Sequence, residues 1–178
     1  MCGRFALNAK VDDLIATFVA EKPSFRASVG YQRAIIPASG YYEWHTIGKI
    51  KTPHYIHSAD GLLAFAALYS WWRAEPAQCA SDADGGETDE NNADTPWILT
   101  ATMLTMDSVP ALAGIHDHNP VMLPRARWDD WLSPETRGDQ AFVDAAVAAS
   151  VPVAEALRHH PVGPVRDDGP HLIEPVKL

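Results

Sequence analysis

The apolar runs of this chain are short, and that limits what it can fold into. Segments 33–37, 41–45, 53–57, 62–69 and 97–103 are apolar or aromatic and at most eight residues long. Between most of them stand turn-forming residues, such as Ala38-Ser39-Gly40 and Asp60-Gly61. Runs of this kind make strands rather than long helices. Segments 33–37 and 41–45 read as strands flanking the 38–40 turn. Segments 53–57 and 62–69 are expected to pair as a hairpin around Asp60-Gly61. Residues 3–7 read as a further short strand, and 121–123 as a short buried one. Helical signals are fewer. Val11, Leu14, Ile15 and Phe18 recur at helical spacing, with Asn8 as a cap and an end near Ala20. Residues 21–29 read as a helical turn. Residues 124–132 start a helix with Trp128 and Trp131 on one face. Residues 139–149 are helical and stop before Pro152. The tail returns at 172–176. The expected fold is α+β: a mostly antiparallel, curved or barrel-like β-sheet with peripheral helices.

A length of 178 residues is about one domain. No apolar run approaches the roughly 20 residues that a membrane-spanning helix needs, so no membrane partner is expected. No basic stretch followed by an apolar one opens the chain, and there are only two cysteines. A reducing, cytoplasmic compartment is the expectation. The net charge of −9 speaks against a nucleic-acid partner, but it is unevenly spread. Residues 81–95 hold six acids and no Lys or Arg, which leaves −3 for the rest (14 basic against 17 acidic). That stretch reads as an acidic, flexible surface loop.

The other informative feature is the start, Met1-Cys2. Removal of Met1 would leave an α-amine and a thiol on adjacent carbons. The amine has a pKa of about 7.7–8.0, so part of it is neutral at pH 7. A neutral amine attacks aldehydes, and the thiol can trap the imine as a thiazolidine. Alternatively the thiol attacks an acyl carbon, with the amine as its base.

Two other motifs carry chemistry. In a strand over 41–45, Tyr41, Glu43 and His45 face one side, and Tyr42 and Trp44 the other. A carboxyl among aromatics tends to keep its proton, as a general acid does; a Glu on a solvent face does not. In the segment 115–123 (IHDHNPVML), His116 follows a Gly and precedes an apolar run, a place where it can shuttle a proton. His116 and His118 could also bind a metal, with a third ligand from His54, His57, His159, His160 or a carboxylate. The usual zinc spacing is absent, and no cofactor is expected.

Taken in order, MCGRF (1–5), PSFR (23–26), IPASGYYEW (36–44), LTATM (99–103), IHDHNPVML (115–123) and LIEPV (172–176) resemble the SRAP family. These are the SOS-response-associated peptidases or abasic-site processing proteins. The resemblance covers nearly the whole chain, as one domain over 1–178. It implies self-removal of Met1, then a covalent crosslink between Cys2 and abasic sites in single-stranded DNA. By motif, Cys2 is the nucleophile, Glu43 the acid and His116 the histidine. Gly3, Arg4 and Arg26 fall in segments resembling DNA-contacting ones. A monomer with lyase side activity fits the same picture.

The chain departs from the family in three places. Phe18-Val19-Ala20 runs directly into Glu21-Lys22-Pro23, where the family carries a long segment with an active-site Asn and a DNA-binding Arg. His118 stands where the family usually has Arg. Pro161-Val162-Gly163-Pro164-Val165 replaces a PVS…VN pattern. Two other readings therefore stand beside the first. One is a degenerate member that only binds single-stranded DNA or a protein partner. The other is an N-terminal-nucleophile amidohydrolase, although those domains have no place for the 40–44 and 115–120 motifs.

Overall fold

Residues 63–68 of strand β4 (Leu63–Arg73) are buried without alternation, and this organises the fold. A strand apolar on both faces must be covered on both and paired along both edges. The computed structural model describes residue 16 and residues 19–73, 97–166 and 168–177. The expected strand 3–7, most of the helix expected to end near Ala20, and the acidic segment 81–95 lie outside the described residues.

Along one edge of β4 runs β1 (Arg33–Ala38), antiparallel, from Arg33↔Leu68 to Ala38↔Leu63. The other edge is shared. β5 (Trp97–Met103) pairs with its outer part, from Ala67↔Met103 to Arg73↔Trp97. Residues 121–123 take its inner part, through Ala66 N–H to Val121 O (2.8 Å) and Leu123 N–H to Ala64 O (2.8 Å). The sequence predicts a strand of its own for 121–123. These residues are buried, but they form a single bridge, Met122 to Phe65, rather than a ladder.

A second sheet holds β2 (Gly40–Ile47), β3 (Ile50–His57) and β8 (Arg158–Pro161), with β3 in the middle. A third pairs β6 (Thr105–Asp107) with β7 (His118–Pro120). Among the described residues all pairings are antiparallel, the three sheets do not close into a barrel, and three helices complete an α+β fold.

The expected hairpin around Asp60-Gly61 does not form. β3 pairs with β2 and β8, and β4 with β1 and β5. The tight hairpin is instead β2–β3, closed by Gly48-Lys49 between the paired residues Ile47 and Ile50. Gly48 has φ +60° and Lys49 has no positive φ, the pattern of a type II′ turn that matches strand twist. The chain between β3 and β4 crosses from one sheet to the other.

Helix α1 (Pro23–Tyr31) is a full nine-residue helix with Pro at its start, longer than the expected turn. The segment 124–132 forms a 3-10 turn (Arg125–Arg127) and then α2 (Trp128–Leu132). Trp131 is the largest fully buried side chain and donates its indole N–H to Ala34 O (2.9 Å). Arg33, also buried, gives its guanidinium to the carbonyls of Val29, Gly30, Trp131, Ser133 and Thr136, fastening α1, β1 and α2 together.

Helix α3 (Gln140–Glu155) starts at Asp139, whose carboxylate accepts the Phe142 N–H (2.9 Å). The expected end before Pro152 is not observed; the helix runs through that residue. An interior Pro costs about 3 kcal/mol. The buried stripe Val143, Ala146, Ser150 and Ala154 continues past it, so packing outweighs propensity. Among the described residues no helix is long and apolar enough to cross a membrane.

Candidate active site

Strand β2 delivers its odd residues to one face. Tyr41 packs edge-on against Phe65 of β4 (5.8 Å between centroids), which turns this face toward the core. Two residues on, Glu43 is half-buried and lies directly across from His54 of β3. Its charged neighbours are His116 and Asp117. Burial pushes the Glu43 carboxyl up. The attraction of His116 and a backbone hydrogen bond at Trp44 pull it back, and Asp117 pushes it up again. The net direction is upward, so this carboxyl holds its proton more firmly than a solvated one. Tyr41, with its hydroxyl buried and Glu43 beside it, is also raised.

His116 comes from the loop between β6 and β7. That loop is closed by Ser108 N–H to Asp117 O (2.9 Å) and folded on itself by Leu112 and Ala113 N–H to Val109 O. The buried Asn119 clamps it further, accepting the Val109 N–H at its side-chain oxygen (3.1 Å). The His116 ring is therefore presented from an anchored loop. Its Nδ1 lies 3.1 Å from the His118 N–H nitrogen and 3.1 Å from Asp117 Oδ1. Unprotonated, Nδ1 accepts from the His118 N–H; protonated, it donates to Asp117. Either state finds a partner, as a proton shuttle requires.

The structure thus places Glu43 within electrostatic reach of His116 and Asp117. It places Arg26 elsewhere, on exposed α1, where the guanidinium donates to Ala20 O (3.4 Å) and Glu21 O (3.1 Å). Arg26 lines a cleft with Arg137, Gly138, Asp139 and Gln140. Arg137 stands in no motif, so nothing local in the sequence marks it. Cys2, Gly3 and Arg4 lie outside the described residues.

A second feature of the Glu43 face escapes sequence reasoning. His45, His54 and His159 gather there, with His54 edge-on to His45 (5.6 Å) and its Nδ1 3.2 Å from that of His159. Burial and the neighbouring imidazoles hold both His54 and His159 below the usual histidine range. These rings do not reach His116 and His118. Among the described residues, the His, Cys and carboxylate donors that lie within 4.8 Å of one another are those of His116, Asp117 and His118, so the neighbour of the two rings is a carboxylate and none of the four other histidines named above.

The junction where a family segment is expected is closed. The Gln140 side chain of α3 accepts the Ala20 N–H (3.1 Å) and donates to Ala16 O (2.7 Å), with Val19 fully buried between them.

Known proteins resemble this chain in sequence and fold. It is 33% identical over 131 residues to the abasic site processing protein YobE of Bacillus subtilis, covering 72% of this chain and 49% of that one. It is 30% identical over 174 residues to the abasic site processing protein YedK of Escherichia coli, covering 96% and 67%. The chain thus spans about half the length of its Bacillus relative. A solved protein of Bacteroides thetaiotaomicron superposes with a TM-score of 0.68 at 20% identity, covering 97% of this chain and 73% of that one. A solved phage-related protein of Bordetella bronchiseptica gives 0.57 at 27% identity, covering 86% and 62%. The sequence pattern of the SOS response associated peptidases matches residues 16–165, a span that carries both Glu43 and His116. By this match and this site, the chain belongs to the SOS response associated peptidase (SRAP) family.

Proposed function

We propose that this protein processes abasic sites in single-stranded DNA by forming a covalent crosslink through Cys2. The observation that carries the reading is the pairing of a half-buried, proton-retaining Glu43 with His116 on the anchored loop. It is joined by the relatives' names, which describe abasic site processing. Met1 is first removed by hydrolysis of its peptide bond, which frees the Cys2 amine. The ring-opened abasic sugar offers an aldehyde. The neutral amine adds to it, water leaves, and a Schiff base results. The thiol then adds to the imine carbon, its proton passing to the nitrogen, and a thiazolidine closes.

Glu43, in its acid form, donates a proton to the sugar ring oxygen as the ring opens. His116 moves protons during addition and loss of water, with Asp117 and the His118 N–H accommodating its two states. Abstraction of a proton next to the Schiff-base carbon would give β-elimination, the lyase side reaction. Arg26 and Arg137 offer guanidinium groups to a phosphate in a cleft that also holds the carboxylates of Glu21 and Asp139.

The test is incubation with a single-stranded oligonucleotide bearing one abasic site. A heat-resistant shifted band is expected. The same band from Cys2→Ala would sink the proposal. A second reading, binding of single strands without crosslinking, is favoured by His118, which stands where the family usually has an Arg after His-Asp. Salt-sensitive binding of intact and abasic strands alike, with no covalent product, would select it.

A further inference from the structure

We propose that His116, Asp117 and His118 form a binding site for one divalent transition-metal ion, of the Zn2+ or Ni2+ class. Their donor atoms lie within 4.8 Å of one another. Asp117 Oδ1 stands between the two rings, 3.1 Å from His116 Nδ1 and 3.1 Å from His118 Nδ1. Two ligands on a tetrahedral ion, with bonds of about 2.0–2.1 Å, are about 3.3 Å apart. Two of the three donor spacings, now spanned by hydrogen bonds, are therefore near what an ion imposes, and the third lies within 4.8 Å. Two imidazoles and a carboxylate suit Zn2+, Ni2+ and Cu2+ better than Mg2+ or Ca2+, which prefer oxygen.

Two further observations separate this cluster from a chance surface grouping. First, the backbone is held. Asp107 pairs with His118 across β6–β7, Ser108 N–H binds Asp117 O, and buried Asn119 locks the loop. Little ordering remains to be done on binding. Second, the far nitrogen of His118 faces a carboxylate. Its Nε2 is 3.9 Å from Asp107 Oδ1, while Nδ1 faces Asp117. At 3.9 Å the Asp107 approach is a charge contact and not a hydrogen bond; closing it on metal binding would give the ring the carboxylate partner that ligating histidines usually have. Two carboxylates, Asp107 and Asp117, also stand beside the two rings and attract a cation.

Binding at His116 Nδ1 displaces the His118 N–H, which the exposed loop returns to water. With three protein ligands, water completes the coordination. The ion would occupy the same His116 Nδ1 that the crosslinking reading uses to move protons, so one molecule cannot do both at once; the test below involves no DNA and is read separately from crosslinking.

The chelator-treated full chain is titrated with Zn2+ or Ni2+ against a chromophoric competitor. One ion per chain at micromolar affinity or tighter is expected. Asp117→Asn and His118→Asn should each weaken it at least tenfold, with unchanged circular dichroism. His159→Asn, in the other histidine cluster, should not. In the unmutated chain, Ni2+ should broaden the ring NMR signals of His116 and His118 first. Absence of micromolar binding, unaltered affinity in both variants, or loss only in His159→Asn would overturn the assignment.

Discussion

The Nδ1 atoms of His54 and His159 lie 3.2 Å apart on strands β3 and β8, close enough that they share one hydrogen bond. Only one of the two nitrogens can carry the proton in that bond, and His54 is almost wholly buried. The second sheet is therefore built around neutral imidazoles.

Stability should fall on mild acidification. Both rings titrate below the ordinary histidine value, mainly because of burial. Between their folded values and about 6.5, the unfolded chain binds more protons than the native one. The stabilisation present above about pH 6.5 is thus lost as the pH drops through that window. Melting temperature measured from about pH 7.5 to 5 should decline. The double variant His54→Phe/His159→Phe should flatten the slope; an unchanged slope would refute the assignment.

Glu43→Gln should separate stability from activity. The carboxyl is raised mainly by burial, so ionising it near neutrality costs the native state. The native state binds the extra proton, and stability attributable to Glu43 declines as pH rises above the unfolded carboxylate value. Gln removes that cost, so the melting temperature at neutral pH should stay level or rise. Crosslinking should fall by about 100- to 10,000-fold, the usual worth of a general acid. Its alkaline limb in the pH–rate profile should vanish with it.

Gly40 should tolerate no side chain. A Cβ there would stand 2.5 Å from Ile56 O and 2.5 Å from the Tyr55 ring. The carbonyl belongs to the neighbouring strand and cannot step aside without moving β3. Gly40→Ala should cost about 1–3 kcal/mol in urea unfolding. It should also slow crosslinking, because Glu43 lies three residues along the same strand.

Ser150→Ala should expose a hidden dependency between helix α3 and residues 121–123. The Ser150 hydroxyl, fully buried, accepts the Met122 N–H at 2.7 Å. Without it a buried donor is orphaned, at about 1–3 kcal/mol. The midpoint of denaturation should shift accordingly with no change in its slope.

Local signals carry much of this architecture. The strands at 33–37, 41–45 and 97–103 are legible because apolar runs and turn residues delimit them. Glu43 and His116 are legible as candidates through their motifs. Their meeting is not, since it depends on the folded 108–117 loop and on Asn119 inside it. Asp60-Gly61 is the stronger hairpin signal, yet Gly48-Lys49 closes the real one. β3 and β4 lie in different sheets. Pro152 reads as a stop because the stripe beneath it extends to a core invisible in the local sequence. His54 and His159 are 105 residues apart, and no spacing rule connects them.

Gln140 acts as a clasp on the chain's own contour. By gripping the carbonyl of Ala16 and the amide of Ala20 from a distant helix, it fixes both ends of the turn that leads into residue 21. Chain length inserted just beyond such a clasp pays only the slowly growing entropy of loop closure, about 0.6 kcal/mol per doubling. The 20–21 junction should therefore accept a grafted segment while β2, which carries Glu43, keeps its register with β3.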